Sequence, residues 1–212
     1  MNTSTHLFKT MKQLLTLCAS VVLASGALAS TEEGTTRYKV DASASSITWH
    51  ATKVTGEHMG TVNVANGYLS VEDGTLIAAN IIANMETIAC TDLEGEWGDK
   101  LVGHLNSDDF FNVSEHKTSS FTLRNIEPLK DANADATHSV TGDFTIRGIT
   151  KSVTFDAKVA DTDGKLAIEG SAVLDRAQFD VKYGSGSFFD NLGDNLIHDN
   201  FTVGFNLVAD AQ

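Results

Sequence analysis

The sequence predicts an all-β domain of eight antiparallel strands, with a short helix between the third and fourth. Three observations carry this. Apolar residues recur with period two through almost all of the chain beyond residue 30, turn-forming clusters separate the runs, and one interval shows helical spacing instead. With 17 glycines and one proline in 212 residues, the composition also suits a sheet with tight turns.

The strands are expected near residues 37–54, 60–72, 75–86, 117–129, 136–147, 151–161, 164–176 and 198–209. In the first, Ile47, Trp49 and Ala51 alternate with Thr48 and His50; in the second, Val62 and Val64 alternate with Thr61 and Asn63. Glu72, Asp73 and Gly74 then form a turn. The third strand contains the run LIAANIIANM, which is apolar on both sides and reads as covered on both faces. Residues 93–111 carry Trp97, Leu101, Val102 and Leu105 at helical spacing, with Ser107, Asp108 and Asp109 as the exit turn and Phe110 and Phe111 anchoring it, one ring inward and one against the helix. Phe121 and Leu123 mark the fourth strand, Val140, Phe144 and Ile146 the fifth, Val153, Phe155, Ala157 and Val159 the sixth, and Leu166, Ile168, Ala172 and Leu174 the seventh. Residues 147–150 and 161–164 read as hairpin turns. A glycine-rich, aromatic connection over 177–197 is expected to fold over an opening before Phe201, Val203, Phe205 and Leu207 form the last strand. Such strands either pair as a sandwich or close into a barrel; closure removes both edges and leaves room for one elongated ligand.

Residues 1–29 read as a cleavable secretory leader. Lys9 and Lys12 precede the apolar run LLTLCASVVLASGALA, which ends in Ala27-Leu28-Ala29. Met11 offers an alternative start, and the bulky Leu17 before Cys18 argues against lipid attachment there. The mature domain would be residues 30–212, placed in the periplasm, and without the two leader lysines its formal charge moves from −13 to −15. Nucleic acid repels such a chain, and no later segment is long and apolar enough for a permanent membrane anchor. Only Cys90 remains, so no intramolecular disulfide can form; the thiol reads as a small buried apolar group rather than a redox handle.

Several motifs then come into register. HLNSDDFFNV at 104–113, VTGDFTIRGITKSVTF at 140–155 and LDRAQFDV at 174–181, with YKVDASASSITW at 38–49 and GTVNVANGYL at 60–69, resemble in order the motifs of the YceI-like family, exported bacterial proteins also described as polyisoprenoid-binding. The chain departs from that pattern at Asp41-Ala42, Ala44, Lys117, Ser152, Asp180 and Leu101-Val102, changes that spare the strand pattern. The resemblance implies a lipocalin-like eight-stranded barrel holding a long isoprenoid or fatty-acyl chain, and it makes a homodimer plausible. Strand parity supplies the expected cavity lining: Trp49, Val62, Val64, Ile81, Phe121, Leu123, Phe144, Ile146, Phe155, Ile168, Leu174, Phe201 and Phe205.

Other constellations are weaker. Asp108 and Asp109 are adjacent, so as strand neighbours they would point apart instead of converging as an acid–base pair. The histidines at 50, 58, 104, 116, 138 and 198 are scattered, without a His-Glu-x-x-His pair, and read as exposed strand-end residues; Glu57-His58 and His198-Asp199 could meet at a metal only through the fold. Gly184-Ser185-Gly186-Ser187 lacks the spacing of a nucleophile elbow and reads as a flexible hinge. Asp92, Glu94, Glu96 and Asp99 read as a solvated acidic face. Arg147 and Arg176 are expected in structural ion pairs or at a ligand's polar end, and Phe188 and Phe189 as a lid or as filling for the barrel's end. No catalytic residue, metal or cofactor is assigned, and the expected role is non-enzymatic carriage of an amphiphile. Two readings compete with it: a metal-dependent or hydrolytic enzyme using histidines and acids at the barrel end, and a structural or stress protein with a packed core.

Overall fold

Alternating side chains give each strand one apolar face, and every strand pairs antiparallel with its neighbours, so the sheet curls until its two edges meet. The computed structural model describes residues 34–212 apart from residue 163; the expected leader, residues 1–29, lies outside the described residues. In chain order the elements are β1 (Thr35–Val40), β2 (Ser46–Lys53), β3 (Gly56–Glu72), β4 (Thr75–Cys90), α1 (Gly95–Asn106), β5 (Thr118–Pro128), β6 (His138–Ile146), β7 (Ile149–Thr162), β8 (Lys165–Asp175), a 3-10 turn (Arg176–Phe179), a second 3-10 turn (Gly193–Asn195) and β9 (Ile197–Ala211). Pairing runs from β3 through β4 and on to β9, which returns to both β1 and β2; these in turn pair with β3 on their other side. The nine segments therefore occupy eight positions in a closed barrel, not two layers of a sandwich.

The expected first strand is broken in two. Asp41 turns the chain: its Oδ1 accepts hydrogen bonds from the Ser43 amide (2.9 Å), the Ser43 hydroxyl (2.6 Å) and the Ala44 amide (3.3 Å), a local alternative to ladder bonding. β4 is also corrected. Its outward Ile77 is exposed, so the strand is not covered on both faces. The continuous apolar run arises because β4 shifts register against β3 near Ile77 and again across residues 85–88, so that Leu76, Ala79, Ile81, Met85 and Ile88 all come to be buried.

α1 is shorter than the helical-spacing interval and lies over one end of the barrel. Leu105, with Leu101 and Val102, packs against Met85 and Ile88 of β4. The Ser107 hydroxyl donates to the His104 carbonyl (2.7 Å) where the helix stops, and a compact turn follows. Asp108 and Asp109 sit in that turn, with Asp109 hydrogen-bonded to His104 (3.1 Å), in keeping with a turn rather than a catalytic pair. The opposite end is packed by Tyr38, Val40, Leu69, Val71 and Leu166, with the Tyr38 hydroxyl donating to Asp161 (3.0 Å).

Candidate ligand-binding site

Between the two ends the lumen is hollow. A cavity of about 150 Å³ lies under α1, bordered by side chains such as Trp49, Val62, Met85, Phe110, Ile146 and Leu174. A second, of about 80 Å³, continues toward the far end past Leu123, Phe155, Ala157, Ile168 and Leu207. Ile47, Ile81, Phe121, Phe144 and Val203 border both, so the chambers adjoin. Four phenylalanine rings narrow the passage: Phe121 to Phe144 is 5.0 Å between centroids, Phe121 to Phe155 5.7 Å and Phe155 to Phe205 5.6 Å. Phe121 can lie there because Gly142 is beneath it; a Cβ on that glycine would come within 2.2 Å of the ring. Lining along β9 runs from Ile197 to Leu207, which at about 3.4 Å per residue and about 40° of tilt gives a tunnel roughly 25 Å long. Pockets for compact drug-sized molecules hold ~300–1,000 Å³, more than both chambers together, so the shape suits a slender chain.

Of the residues expected from strand parity, all but Val64 border this tunnel: Trp49, Val62, Ile146, Leu174 and Phe201 the helix-end chamber, Leu123, Phe155, Ile168 and Phe205 the far one, and Ile81, Phe121 and Phe144 both. Val64 is inward and buried but packed within the core cluster around Val40 and Leu69, away from the open space. Missing from the parity set were Ile47 and Val203, which the same alternation could have supplied. Met85 and Ile88, reached through the register shift, and Leu105, Phe110, Phe111 and Val181, which lie off the strands, carried no such signal. Phe110 and Phe111 both border the chamber, instead of dividing between lumen and helix.

Arg176 is the buried cation of the helix-end chamber. Its guanidinium donates to four main-chain carbonyls, those of Val181 (3.0 Å), Tyr183 (2.8 Å), Ile197 (2.9 Å) and His198 (3.1 Å), and Nη2 stands 3.4 Å from Asp199 Oδ1. Burial lowers its pKa, while Asp199 and Asp175 oppose that shift. Burial alone would raise the pKa of Asp199, but hydrogen bonding from Ser185 and Ser187 and the Arg176 charge outweigh it and hold the carboxyl below its usual range. The result is a clamp on the 181–198 connection. The expected hinge is accordingly anchored: Ser185 is fully buried, and the Ile197 amide donates to Gly184 (2.8 Å). Arg147 likewise serves the main chain, donating to the carbonyls of Asp108 (3.0 Å) and Phe110 instead of forming the expected ion pair, and it faces an outer groove.

Phe188 and Phe189 neither fill the barrel nor border the tunnel; both are about half exposed, and Phe189 lines that outer groove. Phe110 and Ile197 border both groove and tunnel, so they stand between the lumen and the surface. Histidines near this end have local partners: His50 with Glu57 (2.9 Å), His58 with Asp92 (2.8 Å) and His198 with Thr52 (2.7 Å). Asp92 is exposed together with Glu94, Glu96 and Asp99, as a solvated acidic face requires, and it also has fixed partners. Burial opposes its ionisation, but the Met59 amide, His58 and the Cys90 thiol all bond it, and its pKa falls to about 2. Cys90 is thereby a half-buried donor to a carboxylate and not an apolar filler. Among the described residues, no three His, Cys, Asp or Glu side chains converge on a point suited to a metal.

The sequence profile of the YceI-like domain matches residues 38–209. The chain belongs to the YceI-like family. Relatives of this YceI-like chain include a UPF0312 protein of Ectopseudomonas mendocina, 30% identical over 129 residues that cover 58% of the chain and 63% of the relative. Another, from Pseudomonas aeruginosa, is 37% identical over 89 residues, 39% of the chain and 44% of the relative. The matched stretches thus span less than two thirds of these relatives' own length. Among solved structures, the YceI-like barrel is similar to Burkholderia cenocepacia BcnA, at 20% identity and a TM-score of 0.63, covering 80% of this chain and 98% of that one. It is also similar to a polyisoprenoid binding domain from Saccharophagus degradans implicated in plant cell wall breakdown, at 15% identity and a TM-score of 0.58, covering 82% and 98%. At these identities the likeness concerns the fold.

Proposed function

We propose that this YceI-like protein binds and carries a long-chain amphiphile, of polyisoprenoid or fatty-acyl type, without converting it, and that it does so in the periplasm. The observation that carries the reading is the two-chambered apolar tunnel. A chain threaded through it leaves water on all sides, at ~25 cal/mol per Å² of apolar surface. Among the described residues, the only cation at its wall already serves four carbonyls, so the walls offer a tail little but packing. An acyl tail reaches across about half of a ~30 Å hydrocarbon core, roughly 15 Å. A lumen longer than that favours a prenyl chain, in line with the ligand class named for the Saccharophagus degradans domain. The leader-like pattern of residues 1–29 supports export.

Native mass spectrometry of the mildly purified protein, followed by organic extraction, is the test. A retained apolar molecule, or uptake of prenyl alcohols by emptied protein, is the expected result; an empty barrel that takes up neither prenyl nor acyl chains overturns the proposal. Cell fractionation checks the compartment, and recovery in the cytoplasm would refute that part.

A further inference from the structure

Most of the large apolar side chains exposed on this barrel gather at one end. Trp97 is 71% exposed, and Val54, Met59, Tyr183, Phe188 and Phe189 are each around half exposed. They come from separate parts of the chain that the fold ties together. The Val54 amide donates to the Leu196 carbonyl (3.1 Å), joining the β2–β3 hairpin to the long connection, and His104 of α1 packs edge-on against Tyr183 at 4.5 Å. Leu101, Tyr183 and Phe189 line the same outer groove, and Trp97 lies one helical turn before Leu101 on the same stripe. This groove shares Phe110 and Ile197 with the wall of the tunnel.

We propose that this collar docks on the surface of a bilayer of zwitterionic lipid, so that the amphiphile passes between membrane and tunnel without crossing water. The inference rests on the tunnel reading but concerns a different surface. Aromatic side chains flanked by lysines mark the level of lipid head groups, and here Lys100 lies 4.9 Å from the Trp97 ring centre and Lys182 5.4 Å from that of Phe188. The groove carries both signs, Asp109 and Asp194 beside Lys53 and Lys182, which complements a head group that also carries both. A formal charge of −13 disfavours anionic lipid and equally disfavours a second copy of the chain as the occupant.

The chain has two tryptophans, so Trp49→Phe leaves Trp97 as the sole tryptophan, read by excitation beyond the tyrosine band. Phosphatidylcholine vesicles with brominated acyl chains and no added isoprenoid should shift Trp97 emission to the blue and quench it. In vesicle flotation, the double variant Trp97→Ala with Phe189→Ala should bind about tenfold more weakly or worse. Val173→Ala, an exposed apolar side chain on the outer wall of β8, should bind as the parent does. Unchanged Trp97 emission overturns docking, as does sedimentation showing that a dimer buries Trp97. Because these vesicles carry no ligand and uptake can be measured from solution, failure of docking is distinguishable from failure of the tunnel.

Discussion

Ala157 offers a test of chain length inside the tunnel. It is fully buried on β7 and borders only the far chamber, beyond the phenylalanine waist. Ala157→Leu introduces three carbons into a space of about 80 Å³. At ~0.8 kcal/mol per methylene, three displaced ligand carbons forfeit ~2.4 kcal/mol, or about 50-fold in Kd. The open chamber should hold the destabilisation to the lower part of the ~1–3 kcal/mol usual for overpacking, which urea unfolding would verify. Displacement of a fluorescent fatty probe by prenyl alcohols of graded length is the assay. Chains short enough to end before the waist should bind nearly as in the parent, and long ones should lose about 50-fold. Ala83→Leu, in the helix-end chamber, should weaken every length. A uniform loss across the series for Ala157→Leu, or no loss at all, would refute the two-chamber reasoning.

Three further outcomes can be measured. Arg176→Lys keeps the charge but offers at most three donors to four carbonyls, and should lower the stability by ~2 kcal/mol or more in urea unfolding; an unchanged midpoint would show that the clamp is dispensable. Gly142→Ala should displace Phe121 and cost ~1–3 kcal/mol, while altering probe affinity more than Gly103→Ala, where an added Cβ meets open space. Asp92 has a depressed folded pKa, so its stabilisation is complete above the unfolded value near 4 and is lost as the pH falls through about 2. The stability gap between parent and Asp92→Asn should therefore close over that interval, and a constant gap would contradict the assignment.

Period-two alternation made most of the barrel legible, because burial of one face imposes that pattern directly. The break at 41–45 was signalled by Asp41 and its serines, yet the apolar alternation on either side outweighed it. The register shifts in β4 left no local mark, so LIAANIIANM read as a strand buried on both faces when it is a strand whose parity changes. The tunnel wall followed from parity wherever a strand supplied it. The inward ring at 110–111 was expected, but Val181 and the carbonyl partners of Arg147 and Arg176 were not legible, since what those side chains touch depends on where the loops are brought by the rest of the fold. Phe188 and Phe189 showed the same limit: aromatic composition left a lid and a filling for the barrel's end equally open, and the fold puts both rings half exposed at the surface.

The return of β9 to β1 and β2 has a kinetic meaning. These pairings join residues some 160 positions apart, such as Ile47 with Phe205, and contacts that distant form late because the loop they close is long. Until the final strand arrives, the sheet has two bare borders, each a template for another chain. A truncation before residue 197 should consequently yield aggregates instead of a looser carrier, because closure waits on residues 197–211.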